Sequence, residues 1–274
     1  MPELPEVEAY RRLAESALDR PILAVDAPDP WYLKGGADAR TVTAALKGRR
    51  FTAARRIGKL LLLDTDTDTD TDTDLDTDTD GAGPTLGLRF GMTGRLIVDG
   101  IPGVDALLYS SNADRPEWDR FGVRLAGGRL TIRDPRRLGG VELDPDETLL
   151  GPDAWSAGVA DLRAALGGSA APLKARLLDQ ARIAGIGNLI ADEVLWRSGL
   201  DPARPAGGLT AAELRRLARA LHATIGDLLV RGGSHQGDLG PSRRAGGLCP
   251  RDGAALLRRT IGGRTSWSCP AHQV

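Results

Sequence analysis

The sequence predicts an α+β chain. An N-terminal β-sandwich is entered through a short helix, and a helical domain follows that closes in a terminal β-hairpin. Three observations predict it. Short strand-like runs punctuated by Gly and Pro fill the chain before residue 150. Apolar residues recur at helical spacing after it. Residues 243–274 return to hairpin-like sequence around Gly262-Gly263.

Taken in order, Val7, Tyr10, Ala14, Ala17 and Leu18 share one helical face, which predicts an amphipathic helix over residues 5–18. Strands are predicted at Ile22–Val25, Phe51–Arg56, Lys59–Asp64, Thr85–Phe90, Arg95–Val98, Gly122–Leu125 and Arg129–Arg133. Ala126-Gly127-Gly128-Arg129 reads as a tight hairpin turn. Residues 64–80, DTDTDTDTDTDLDTDTD, alternate strand-forming Thr with like charges that would repel across a ladder. They are expected to form an exposed, mobile loop between two strands. A solvated acidic loop is a better reading of it than a cation site.

The remaining helices are predicted at Val159–Leu166, Leu173–Gln180, Asn188–Ser198 and Thr210–Arg231. The last opens with a capping box, Thr210 and Glu213, and carries Leu214, Leu217, Leu221, Ile225 and Leu228 on one face. The expected domains are therefore 1–150, 151–242 and 243–274.

The chain of 274 residues is long enough for one large or two modest domains with ample core. Hydrophobic content of 41% and charged content of 27% are ordinary for a soluble protein. The start is acidic and lacks the apolar run of a signal peptide, and the longest apolar runs, Leu60–Leu63 among them, are far too short to span a membrane. Two cysteines fit a reducing cytosol, so a cytoplasmic protein is expected. The net charge of −1 misleads, because residues 64–80 hold nine Asp and the rest of the chain would carry +8. Only four of its 36 basic residues are lysines, Lys34, Lys47, Lys59 and Lys174. The others are Arg, whose planar fork suits phosphate. Outside the acidic insert the chain has the charge of a polyanion binder.

The start, Met1-Pro2-Glu3-Leu4-Pro5-Glu6-Val7-Glu8, carries the clearest chemistry. Met1 precedes a small residue and is expected to be trimmed. Pro2 then has a free secondary amine beside a carboxylate. Such an amine attacking a sugar carbon gives an iminium, cationic without a proton, which serves as an electron sink. The plainer alternative is that Pro2 and Pro5 stiffen the helix entry. A second motif is Leu177-Leu178-Asp179-Gln180-Ala181-Arg182-Ile183-Ala184-Gly185-Ile186-Gly187-Asn188-Leu189-Ile190-Ala191-Asp192-Glu193, which reads as helix, two-glycine turn, helix. Asn188 is placed as its N-cap, and the free N–H groups of that helix end would bind an anion.

The PELPEVE start, this helix–two-turn–helix and the C-terminal hairpin together resemble the formamidopyrimidine-DNA glycosylase / endonuclease VIII family, nearly end to end. PELPE leans to the formamidopyrimidine branch. The resemblance implies a DNA glycosylase with AP-lyase activity that removes oxidised bases in base excision repair. It would act as a monomer in bacterial cytoplasm on damaged double-stranded DNA.

By the same resemblance, Pro2 is the nucleophile at C1′, Glu3 the proton shuttle, and Glu6 a second carboxylate supporting the amine. Lys59 and Arg264 reach phosphates beside the lesion. Gly185, Gly187 and Asn188 grip another phosphate. Met92 and Arg136 fill the hole left by the flipped base, as does Leu138 where the family usually has an aromatic residue. Core packing is the competing reading of Met92 and Leu138.

The family's terminal C-x2-C-x16-C-x2-C reads here Cys249-x2-Asp252-x16-Cys269-x2-His272. Zinc accepts all three residue types, so one structural zinc ion is expected; His235 is an alternative fourth ligand, and a metal-free hairpin the alternative to zinc. Residues 232–247 are too short for the family's long base-covering loop, which leaves the preferred base open. The competing function is a catalytically weak paralogue that binds damaged or abasic DNA. An RNA or ribosomal role would leave the PELPE start unexplained.

Overall fold

The computed structural model describes residues 2–66, 83–108, 110–111 and 113–274. Met1 and most of the Thr-Asp tract, whose trimming and looping the sequence predicts, lie outside the described residues. Contacts divide the chain into two units: Pro2 with Glu6–Asp146, and Glu3–Pro5 with Glu147–Val274.

The first unit holds most of α1 (Leu4–Ala14), α2 (Ala39–Leu46) and the strands β1 (Ile22–Asp26), β2 (Phe51–Ile57), β3 (Leu60–Thr65), β4 (Thr85–Arg89), β5 (Arg95–Val98), β6 (Ile101–Pro102), β7 (Asp119–Leu125), β8 (Gly128–Arg133) and β9 (Gly140–Leu143). One sheet has the order β1-β7-β8-β5-β6 and the other β2-β3-β4-β9, each built from antiparallel pairs. Alternate residues of both sheets, among them Leu61, Leu63, Leu86, Leu88, Leu96, Phe121, Val123, Leu130 and Ile132, meet in one core with Val7, Tyr10 and Ala14 of α1. That is the predicted sandwich: period-2 alternation buries one face of each sheet. The hairpin turn forms where expected, with Leu125 opposite Gly128.

Several boundaries differ from expectation. The first helix ends at Ala14 and tightens into a 3-10 turn over Glu15–Ala17. Lys59 sits in the β2–β3 turn rather than at the head of the strand, which begins at Leu60. The first two residues of the acidic tract are ordered strand: Asp64 pairs with Arg55 at 2.6 Å and accepts from Thr85 Oγ1 at 2.9 Å.

The second unit holds α3 (Val159–Leu166), α4 (Leu173–Leu177), α5 (Asn188–Ser198), α6 (Ala211–Val230) and the hairpin of β10 (Leu257–Ile261) and β11 (Arg264–Ser268). Leu214, Leu217, Leu221, Ile225 and Leu228 of α6 pack with Ile190, Val194 and Leu195 of α5 in a second core, which also takes in Leu4. The capping box on α6 forms as predicted: Glu213 N donates to Thr210 Oγ1, and Thr210 N donates to Glu213 Oε2. No described helix is long and apolar enough to cross a membrane.

That cap has a titration consequence. Arg204 holds both Glu213 oxygens, at 2.6 and 3.0 Å. It and the Thr210 N–H pull the Glu213 carboxyl from 4.5 down to about 2. A depressed carboxyl stabilises the fold above its unfolded value and loses that contribution as protons bind. The urea midpoint of the unsubstituted protein is therefore expected to fall more steeply between pH 4.5 and 2 than that of Glu213→Gln. Parallel slopes would refute the assignment.

Candidate active site and metal centre

Pro2 is buried and precedes α1, while Pro5 lies in the first helical turn. Pro5 therefore has the helix-entry role and Pro2 does not. In the second unit, the Glu3 side chain is fully buried at the N-terminus of α5. Its two oxygens accept from the backbone N–H groups of Leu189 (2.9 Å) and Ile190 (3.0 Å). Leu4 N donates to Gly185 O at 3.3 Å.

This arrangement corrects the expected cap. Gly187, not Asn188, is the N-cap residue, and Asn188 is the first helical residue. A carboxylate 186 residues away takes the N–H groups that an Asn cap would have used. The N–H groups expected to be free for an outside anion thus include two that the protein's own Glu3 carboxylate takes. Glycine at 187 leaves room for this contact, because a Cβ there would lie 2.1 Å from the Glu3 carboxyl carbon and would push that side chain away. Asn188 Oδ1 is buried and has no hydrogen-bond partner among the described residues.

The two-glycine turn is pinned by Gln180, for which the sequence suggested no role. Gly185 N donates to Gln180 Oε1, and Gln180 Nε2 donates to the carbonyls of Leu178 and Ile186.

In the first unit, Glu6 is buried on α1 and Lys59 is half-buried in its turn. Met92 occupies the turn at 91–93 and is half-buried. Arg136 is exposed, and Leu138 is 51% exposed, so core packing does not account for Leu138. The two turns are joined by Asp134, which is fully buried. Its carboxylate accepts from Thr93 Oγ1 (2.5 Å), Arg136 N (3.2 Å), Gly139 N (2.9 Å) and Tyr32 OH (3.3 Å). Met92, Arg136 and Leu138 are thereby held by one support. Burial and the neighbouring Asp134 charge push the Tyr32 phenol well above its usual range, so Tyr32 is a donor.

Arg264 opens β11, is exposed, and makes no side-chain hydrogen bond or ion pair among the described residues. Its hairpin is fixed to the helices by Asp192. That buried carboxylate accepts from Lys174 Nζ (2.7 Å), Arg243 (2.8 Å), Ser266 Oγ (3.0 Å) and Trp267 N (3.3 Å). Lys174 also donates to the Thr265 carbonyl at 3.0 Å. Burial pulls the Lys174 ammonium below its usual range, while Asp192 opposes that shift. Gly262, with φ +57°, lets the turn lie against Ala175 of α4.

The donor atoms of Cys249, Asp252, Cys269 and His272 lie within 4.8 Å of one another. Cys249 Sγ is 3.8 Å from His272 Nδ1, and Cys269 Sγ is 3.3 Å from Asp252 Oδ2. Edges of about 3.3–3.8 Å are those of a tetrahedron around zinc. The Asp252–His272 contact of 2.7 Å is a direct hydrogen bond and would open by about half an ångström around a metal. His272 Nε2 faces the Trp196 carbonyl at 3.3 Å, which leaves Nδ1 as the ligand atom. Arg251 N and Trp196 Nε1 donate to Cys249 Sγ, and Ala271 N donates to Cys269 Sγ. Such donors complement thiolates. The four residues therefore fit a tetrahedral metal ion, with Asp252 as the fourth ligand in place of His235, which lies outside the cluster.

The comparisons with known proteins agree with this architecture. Residues 1–141 match the formamidopyrimidine-DNA glycosylase N-terminal domain, and residues 150–237 match the formamidopyrimidine-DNA glycosylase H2TH domain. The formamidopyrimidine-DNA glycosylase of Paracoccus denitrificans is 34% identical over 232 residues, covering 79% of this chain and 74% of that protein. That of Desulfitobacterium hafniense strain Y51 is 32% identical over 235 residues, covering 81% and 76%. The structure of Lactococcus lactis formamido-pyrimidine DNA glycosylase bound non-covalently to DNA with an AP site superposes with a TM-score of 0.79 over 99% of both chains, at 24% identity. At that identity the superposition bears on the fold.

Proposed function

The chain belongs to the formamidopyrimidine-DNA glycosylase family, and from that membership we propose that it is a DNA glycosylase with AP-lyase activity acting on oxidised bases in double-stranded DNA. The observation that supports this reading most is the N-terminal pair. Pro2 stands outside the helix, and the carboxylate of the next residue is fixed by two backbone N–H groups.

With Met1 removed, the Pro2 nitrogen attacks C1′ of the damaged nucleoside. The C1′–base bond breaks, and the base departs with a proton that Glu3 helps deliver. Ring opening leaves an iminium joining Pro2 to C1′. The iminium draws electrons from the C2′–H bond, Glu3 assists loss of that proton, and the 3′ phosphate leaves by β-elimination. Lys59, Asn188 and Arg264 are assigned to backbone phosphates, and Met92, Arg136 and Leu138 to the vacated stack. Binding is expected to weaken steeply with salt because cations on phosphates dominate it.

The test is a panel of oligonucleotide duplexes carrying one lesion each, scored for base release and strand nicking. Binding to abasic duplex without nicking would replace this reading with that of a binding paralogue.

The metal we assign to Cys249, Asp252, Cys269 and His272 is one zinc ion, which when bound would tie the hairpin base together. Elemental analysis of protein purified without chelator should find about one zinc per chain, and Cys249→Ser should lower that content severalfold. A clean absence of zinc would remove the metal from this reading and leave the Asp192 network as the hairpin's anchor.

A further inference from the structure

Trp31 is 67% exposed. An isolated surface aromatic needs no explanation, but this one is fixed in place from several directions. It lies in the 3-10 turn Pro30–Tyr32, capped by Asp29, whose Oδ1 accepts from Trp31 N at 3.2 Å. The two Asp29 oxygens also take Arg137 Nε and a terminal guanidinium nitrogen, each at 2.6 Å. The Arg137 guanidinium holds the Asp29 carboxyl below its usual range. Arg137 itself has φ +55°, an unfavourable conformation for a long side chain, which the bidentate pair offsets. The next residue, Tyr32, donates to Asp134, the carboxylate that supports Met92, Arg136 and Leu138.

The turn also carries its own cation. Lys34 Nζ lies 4.8 Å from the Trp31 ring centroid and donates to the Trp31 carbonyl at 2.5 Å. The lysine stem packs so closely on Gly140 that a Cβ there would meet it at 2.7 Å. A cation against one face of an indole leaves the other face to accept a stacked ring. Arg136, on the turn that shares the Asp134 support, is exposed, and its guanidinium has no partner among the described residues. A pre-ordered aromatic face, a backing ammonium and an uncommitted guanidinium have the chemistry of a nucleotide site, base on ring and phosphate on cation.

We propose that Trp31, backed by Lys34, is a stacking platform for an unstacked nucleotide of bound DNA, presented on the same supported rim as Arg136 and Leu138. The proposal rests on the reading of the chain as a DNA lesion enzyme. It adds a contact outside the residues assigned to chemistry, one that responds to a base freed from the helix stack rather than to phosphate charge.

The test uses the full chain and two duplexes of one sequence, one intact and one with a tetrahydrofuran abasic analogue. Stacking of one base predicts that Trp31→Ala weakens binding to the abasic duplex about tenfold. Binding to the intact duplex should change less than twofold, and the salt dependence should be unaltered. Trp31→Phe should recover most of the loss. Equal losses on both duplexes, no loss on either, or a Phe variant as weak as the Ala variant would overturn the platform. So would a Trp31-dependent dimer seen by light scattering without DNA. The two readings fail separately. If the unsubstituted protein neither prefers nor nicks abasic duplex, the functional reading falls and the platform with it. If it does both and Trp31→Ala matches it, only the platform falls.

Discussion

Pro2→Gly is expected to reduce both base release and borohydride-trapped protein–DNA adduct by about 10^3-fold or more. The substitution keeps a terminal amine but makes it primary. A secondary amine condensing with an aldehyde carbon yields an iminium that carries its charge permanently. A primary amine yields an imine that must first bind a proton to become an electron sink. Glycine also frees rotation about the N–Cα bond that the pyrrolidine ring blocks, so the lone pair of the attacking nitrogen loses its orientation. The loss should therefore appear in the chemical steps, with affinity for an abasic-analogue duplex changed by less than about threefold. Mass spectrometry of the trapped adduct adds a second requirement. The cross-link must lie on the N-terminal peptide, and that peptide must lack Met1, because an acylated proline nitrogen has no lone pair to donate. An active enzyme retaining Met1, or trapping undiminished in Pro2→Gly, would place the nucleophile elsewhere.

Much of the frame was legible because it rests on local rules. The helices Val159–Leu166 and Asn188–Ser198 stand where periodicity and flanking glycines put them. The α6 boundary was announced by the Thr210–Glu213 box. What escaped depends on partners far along the chain. Helix α2, ARTVTAAL, is short and rich in β-branched residues, and its one local mark is the Asp38 cap. Strand β9 begins at a glycine and gains its identity from pairing with β4. The Asp134 and Asp192 supports were invisible for the same reason. A buried carboxylate is recognised by the donors that converge on it, and those come from Tyr32 and Thr93 in one case and from Lys174, Arg243 and the hairpin in the other.

The candidate site was legible by residue type and less so by role. Cys249, Asp252, Cys269 and His272 were read from their match to the family's terminal spacing, and their donor atoms do converge. Asn188 was read as a cap from its place after Gly187, a rule that assumes the helix end has no better acceptor. Glu3 is that acceptor, and a sequence-local rule has no access to it.

Glu3 closes the helix end in the fold and is the proton shuttle of the proposed mechanism, and a pair of substitutions separates the two roles. Glu3→Gln preserves side-chain length but replaces one carboxylate oxygen with an NH2 group. That group faces a backbone N–H where an oxygen had accepted one, so one of the two bonds to Leu189 and Ile190 becomes a donor–donor contact. The remaining bond also loses its charge assistance. A destabilisation of about 2–3 kcal/mol is expected by urea unfolding, from one lost charge-assisted bond and a buried donor left unpaired. The rate of base release should fall by about 10^2- to 10^4-fold, the span for loss of a positioned proton-transfer group. Gly187→Ala leaves the Glu3 carboxyl chemically intact. It forces that carboxyl away from a Cβ that would otherwise lie 2.1 Å from its carbon. If position as well as chemistry matters, Gly187→Ala should lower the rate by a comparable factor while every acid and base of the site is still present. Should Gly187→Ala unfold readily yet release base at the normal rate, the helix-end bonds serve stability alone, and proton transfer belongs to another carboxylate, with Glu6 the first to test.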